Sequence, residues 1–320
     1  MKTPTHVFRF ALLAVLASGC AVAADGVIPA ALESADVPST DLILVTDSGQ
    51  NTMADVPAPP RYTYVAVVAD THFEAPGDPH AQNAIALGQT LQGLPYELAG
   101  IFVAGDICFT HEHATYDEYM ADTDDRYDVA EQAFDGWPAP VWPALGNHDY
   151  DFEGQYPMAL ARQLFKHHFG TDPYYAVDLG AWKFIVLDNF SGATFAQGTD
   201  AWDYNSGSLG AEQLAWLEDQ LSDGRPAVLM LHFPLFVVQD LPAVLARHAD
   251  TVRLVLSGHS HAWLNLADNF SVPHMVVGTS QYDADSFLVL RLDNELQTWR
   301  ILNWDDFHWG SAYSLPWSED

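Results

Sequence analysis

The stretch Val141-Trp142-Pro143-Ala144-Leu145-Gly146-Asn147-His148-Asp149 joins a short apolar run to a polar turn. A run of that length closed by Gly reads as a buried strand, and in α/β sheets ligands gather beyond the carboxyl ends of strands. Asn147 and His148 therefore make chemical sense where other polar groups converge on them. Working outward, the same arrangement recurs. Tyr62 to Ala69 runs into Asp70-Thr71-His72, Gly100 to Ala104 into Gly105-Asp106, Ala227 to Leu231 into His232, and Val252 to Leu256 into Gly258-His259-Ser260-His261. Polar clusters that each follow an apolar strand can meet in space however far apart they lie along the chain.

Between these strands the spacing is helical. Ala84, Leu87, Leu91 and Leu94 share a stripe, a helix is expected within His111 to Asp135 and another from about Pro157 to His168, and Leu214, Leu217 and Leu221 mark a fourth. Asp178-Leu179-Gly180-Ala181 reads as a hairpin turn between two strands, and Ser191 to Gly210 as a long loop. Met275 to Val277, Phe287 to Leu292 and Gln297 to Leu302 read as successive strands. The alternation predicts an α/β fold over 61–320.

The 320 residues, 49% hydrophobic, can supply a core for such a domain, and the formal net charge of −31 repels nucleic acid. The acid, mostly Asp and with Lys166 and Lys183 the only lysines past residue 24, reads as a solvated surface suited to salty surroundings. Residues 1–24 pattern as a secretory signal peptide: Lys2, His6 and Arg9 precede the apolar Phe10 to Leu16. Two processing readings stay open. Ala21-Val22-Ala23 offers an ordinary cleavage site, and Ala17-Ser18-Gly19-Cys20 resembles a lipobox, which would attach the protein to a membrane through a lipid on Cys20. A periplasmic or secreted location is expected, with 25–60 as a flexible arm. Cys108 would then be the only cysteine, buried and inert, and no disulfide is expected.

Asp70, His72, Asp106, Asn147, His232, His259 and His261 combine carboxylate, amide and imidazole donors, a set that suits Mn, Fe or Zn. Seven donors are too many for one ion, and with Asp106 shared they divide into two sites, an arrangement used in phosphoryl chemistry. Within Asp70-x-His72 and His259-x-His261 the paired donors would point the same way on an extended segment, with Gly258 permitting a tight turn before the second pair.

Asp70-x-His72, Gly105-Asp106, Gly146-Asn147-His148-Asp149, His232 and Gly258-His259-x-His261, in that order, resemble the motif set of the calcineurin-like metallophosphoesterases. The resemblance spans roughly Tyr62 to Trp263 and implies a sandwich of two mixed β-sheets flanked by helices. It also implies a dinuclear centre of divalent or mixed-valence transition-metal ions. One metal would go to Asp70, His72, Asp106 and His261, the other to Asp106, Asn147, His232 and His259. His148 would serve the leaving group and Asp149 would orient it. Phe109 stands where the purple acid phosphatase branch needs a Tyr. The expected activity is hydrolysis of a small phosphate ester, as a phosphatase or phosphodiesterase, through a metal-bridging hydroxide. The alternative is a silent metal-containing module that binds a phosphorylated ligand. His111-Glu112-His113 is read as an ordinary loop, and Trp299, Trp304, Phe307 and Trp309 as packing.

Overall fold

The computed structural model describes residues 60–109, 111–150, 157–193 and 206–311. The expected signal peptide, and the arm apart from residue 60, lie outside these residues, as does much of the 191–210 loop. Two mixed sheets build the molecule. The first has the order β11-β10-β1-β2-β3, with β1 (Tyr62–Val68), β2 (Leu98–Val103) and β3 (Val141–Pro143) parallel; β10 (Leu288–Asp293) runs antiparallel to β1, and β11 (Trp299–Ile301) antiparallel to β10. The second has the order β4-β5-β6-β7-β9-β8. Its β5 (Trp182–Val186), β6 (Ala227–Met230), β7 (Val252–Ser257) and β9 (His274–Val276) are parallel, and β4 (Tyr175–Leu179) and β8 (Leu264–Asn265) are antiparallel edges.

Strand side chains alternate between two cores because successive Cβ atoms point to opposite faces. On β1, Val65 and Val67 pack with Phe184, Val228, Leu254 and Leu290 between the sheets. Ala66 and Val68 face outward to Ala84, Leu87 and Leu91 of α1 (Pro79–Gln92). That double burial explains why β1 is a near-continuous apolar run rather than an alternating one. Phe102 of β2 stacks on Phe184 of β5, with centroids 4.3 Å apart and planes at 16°, tying one sheet to the other.

The polar stretch 111–135 holds two short helices, not one. A capping box between Thr115 and Glu118 starts α2 (Tyr116–Ala121), and Asp125 caps a fresh start at α3 (Arg126–Asp135). Between them Asp122 accepts the Asp124 N–H at 3.1 Å, so side chains that bond the backbone locally end one helix and begin the next. The turn between β4 and β5 is also shorter than expected. Leu179 pairs with Trp182, leaving Gly180-Ala181 as the loop, with Gly180 in the left-handed region at φ 62°. The 157–168 helix is α4 (Met158–Phe169), closed by left-handed Gly170, and Leu217 and Leu221 are buried on α5 (Gly210–Leu221). The sequence pattern did not mark β8 or α6 (Leu241–Arg247). Among the described residues no helix is long and apolar enough to cross a membrane.

The C-terminal aromatics pack as expected: Trp304 stacks on Trp309 at 4.3 Å and Phe307 on Trp263 at 3.7 Å. Because Phe184 is fully buried where the sheets meet, Phe184→Ala is expected to lower the unfolding free energy by about 3–5 kcal/mol. Phe184→Leu, which keeps most of the volume, is expected to cost under about 1.5 kcal/mol. Denaturant titration of the two variants measures both.

Candidate metal centre

Strands from both sheets deliver the seven expected donors to one place. Asp70 and His72 follow β1, Asp106 follows β2, Asn147 follows β3, His232 follows β6, and His259 and His261 follow β7. Ligand atoms of Asp70, His72, Asp106 and His261 all lie within 4.8 Å of one another, and so do those of Asp106, His232 and His259. The Asn147 Oδ1 joins the second group, 2.9 Å from His232 Nε2 and 3.1 Å from His259 Nδ1. Asp106 belongs to both, with its Oδ2 3.7 Å from His72 Nε2 and 3.2 Å from His232 Nε2.

The backbone that carries these groups is strained. Asp70, His72, Asp106, His259 and His261 all take positive φ, between 50° and 70°. The paired donors do not sit on extended segments, as the one-residue spacing suggested; each occupies the left-handed region, which costs a non-glycine residue about 1 kcal/mol or more. Hydrogen bonds hold the loops in that shape. The Asp70 N–H donates to the Gly105 carbonyl at 3.1 Å, the His72 N–H to that of Asp106 at 3.0 Å, and Thr71 Oγ1 to that of Ile107 at 3.0 Å. The His259 N–H donates to the Asp70 carboxylate at 3.1 Å, joining the first and last motifs.

Gly146 and Gly258 serve by absence of a side chain rather than by unusual torsion. A Cβ at 146 would lie 2.1 Å from Asp106 Oδ1, and one at 258 would lie 2.7 Å from Asp70 Oδ2. At Gly258 the tight turn expected from sequence is replaced by this role, and at both positions it is the close approach of a donor carboxylate that excludes a side chain.

The arrangement fits a cation. His232 Nδ1 donates to the Ala104 carbonyl at 2.8 Å, which turns its Nε2 toward the oxygens of Asp106 and Asn147, where a proton or a cation has to lie between them. His72 Nε2 and His261 Nε2 stand 3.2 Å apart. At that separation the two nitrogens share a proton or a cation between them. Burial pushes His72 down to about 4 and His259 down to about 3, so both favour the neutral form that binds metals. Burial also disfavours charge on His232, but the Asp106 carboxylate outweighs it and raises the group to about 9.

The anchor of the His148 ring differs from the one expected. The His148 N–H donates to Asp106 Oδ1 at 2.9 Å, and its ring Nδ1 donates to the Phe109 carbonyl at 2.5 Å. Asp149 does not orient the ring. Its buried carboxylate accepts the N–H groups of Gly146 at 2.8 Å, Ile107 at 3.1 Å and Cys108 at 3.0 Å, together with the Tyr127 hydroxyl at 3.3 Å. Burial, backed by the charge of Asp106, pushes Asp149 up to about 7. It braces the Asp106 loop against the Gly146 turn, because three inward-pointing N–H groups need one acceptor.

Residues 63–263 match the calcineurin-like phosphoesterase family. The chain belongs to that family. Over 135 residues it is 30% identical to a probable cyclic nucleotide phosphodiesterase of Synechococcus sp., an alignment covering 38% of this chain. The chain spans about half of that relative's length, 46%. A dimetal phosphatase of Danio rerio has the same fold, with a TM-score of 0.55 at 14% identity over 71% of this chain and 92% of that one.

Within the family pattern Phe109 does not supply a side-chain donor. Its ring lies 5.1 Å from that of His148 and its carbonyl anchors the same residue, a backbone role that no side-chain pattern signals. Cys108 is buried with its thiol pushed well up by burial, as expected for an inert residue. His111 is buried and its Nδ1 lies 3.0 Å from the Tyr119 hydroxyl, in keeping with a structural loop. Asp149→Asn would leave one carbonyl oxygen where two carboxylate oxygens now hold four donors. The expected result is a 10- to 100-fold loss of metal affinity, about the scale for groups that support metal ligands. Isothermal titration with Mn²⁺ or Zn²⁺ measures it.

Proposed function

We propose that this chain is a dinuclear-metal-dependent hydrolase of small phosphate esters, exported from the cell. The observation that carries the reading is the convergence of seven donors in two groups that share Asp106. Asp70, His72, Asp106 and His261 would hold one transition-metal ion, and Asp106, Asn147, His232 and His259 the other. When bound, the ions would supply positive charge for the phosphoryl oxygens and lower the pKa of water for attack on phosphorus.

The remaining work falls to the chain. His148 is half-buried, and its ring is fixed through Nδ1 by the Phe109 carbonyl, so Nε2 is the nitrogen that would meet the leaving oxygen and donate a proton or hydrogen bond. Asn147 contributes an oxygen without a formal charge, so the donor set carries only the charges of Asp70 and Asp106. Asp149 keeps the two motif loops in register. Similarity to a probable cyclic nucleotide phosphodiesterase supports including diesters among the substrates tested. The leader pattern of residues 1–24 supports export, with lipid on Cys20 as one processing outcome.

The test is hydrolysis of a panel of chromogenic monoesters, diesters and nucleotides. Chelation is expected to abolish turnover, Mn²⁺ or Zn²⁺ to restore it, and Asp106→Ala to stay inactive in either condition. His148→Ala is expected to lower kcat by about 10²- to 10⁴-fold while keeping the metal content of the wild type. Full activity of the Asp106 variant would overturn the reading, and failure of the loaded protein to turn over any ester would favour a phosphate-binding module.

A further inference from the structure

A second group of ligand-type side chains closes between α3 and α4, sharing no residue with the Asp106 centre. Asp125, Asp128 and His168 each bring a ligand atom within 4.8 Å of the others. Asp125 caps α3, and its Oδ1 accepts the N–H groups of Tyr127 at 2.8 Å and Asp128 at 3.0 Å. Its Oδ2 is buried and has no partner, on a residue only 1% exposed. Helix capping therefore accounts for one oxygen of this carboxylate and leaves the other unexplained.

His168 lies in the last turn of α4 with its side chain 2% exposed. Its ring stacks on Tyr127, with centroids 5.4 Å apart and planes at 15°. Nδ1 is 3.0 Å from Glu131 Oε2 and 3.9 Å from Asp128 Oδ1, and Nε2 is buried without a partner. The neighbouring Arg126 places its Nε 3.1 Å from Glu112 Oε1. Three carboxylates, Asp125, Asp128 and Glu131, thus meet one imidazole. Burial raises the carboxyls of Asp125 and Asp128 above the usual range, outweighing the opposing effect of His168.

We propose that Asp125, Asp128 and His168 bind one divalent transition-metal ion that fastens the start of α3 to the end of α4. Two carboxylates and an imidazole suit Zn²⁺ or Mn²⁺. A cation there would give the buried Asp125 Oδ2 a partner and offset the repulsion among the carboxylates. Tyr127 connects this site to the other. Its ring carries His168, and its hydroxyl donates to Asp149 Oδ1 at 3.3 Å, so an ion between the helices would steady the brace beneath the Asp106 loop.

The test counts ions. Full-length protein is loaded with Zn²⁺ and desalted, and zinc per chain is measured by inductively coupled plasma mass spectrometry. The parent for the comparison is Asp106→Ala with His232→Ala, in which the first centre is dismantled. One zinc per chain is expected to remain, and it is expected to be lost when Asp125→Asn and Asp128→Asn are added. Asn caps a helix as well as Asp does, so the added changes remove charge and preserve the start of α3. His168→Gln in the wild-type background supplies the same comparison should the multiple variant fail to fold: one zinc fewer than wild type, and a smaller rise in Tm on adding Zn²⁺. Unchanged zinc content in the Asp125 and Asp128 variants, or in His168→Gln, would overturn the proposal. Neither result depends on whether the Asp106 centre hydrolyses an ester.

Discussion

The Asp106 carboxylate is the point on which the rest of the molecule depends. One of its oxygens faces His72 from the first sheet and His232 from the second, and the other accepts the His148 N–H. An imidazole lone pair and a carboxylate oxygen at such separations repel in a dry interior, where the effective dielectric constant is far below that of water. A cation, or a proton held in its place, is the physical remedy. The raised His232 and the depressed Asp106 both show how strongly the cluster demands positive charge. The sandwich architecture is what allows the demand to arise, since it turns the carboxyl ends of strands from two different sheets toward one centre.

Holding Asp106 there requires strain, and the structure shows how the strain is offset. Five of the donors adopt left-handed torsions that side chains disfavour. The loop after β1 and the loop after β2 remain hydrogen-bonded beyond their strands, as far as the bridge between Phe73 and Cys108. Asp149 gathers the N–H groups of the Asp106 loop and the Gly146 turn, while Gly146 and Gly258 open room for carboxylates that a single Cβ would displace. Each element is unremarkable by itself, but together they over-determine a conformation that none would hold alone.

Much of this was legible in the sequence because burial and chemistry leave compositional marks. The continuous apolar run of β1 announced a strand covered on both faces, and the seven donors stood at strand ends in an order that matched one family. What stayed hidden was carried by the backbone. The Phe109 carbonyl that fixes His148 has no side-chain signature, and the orienting role that the family resemblance implied for Asp149 gives way once the three N–H groups around it are seen. The division of 111–135 into two helices rests on Asp122 and Asp125 bonding locally, and those residues look alike whether they cap a helix or lie on its exposed face. Spacing alone also suggests extended donor pairs, because left-handed torsions at non-glycine residues are too rare to assume from sequence.

Charge placement connects the surface to the site. The chain carries 43 acidic residues against 12 basic ones, yet only Asp70 and Asp106 among the seven donors bear a formal negative charge. A carboxylate in place of Asn147 would add a third in a space where charge is poorly screened, and would oppose the approach of an anionic ester. The neutral amide and the imidazoles avoid that while still presenting lone pairs inward. Outside, the acidic surface lies in water, where interactions beyond about 10 Å are largely screened at moderate salt. The same chain can therefore be strongly acidic overall and still keep negative charge low at one inward-facing point, because the two requirements apply in media of different dielectric response.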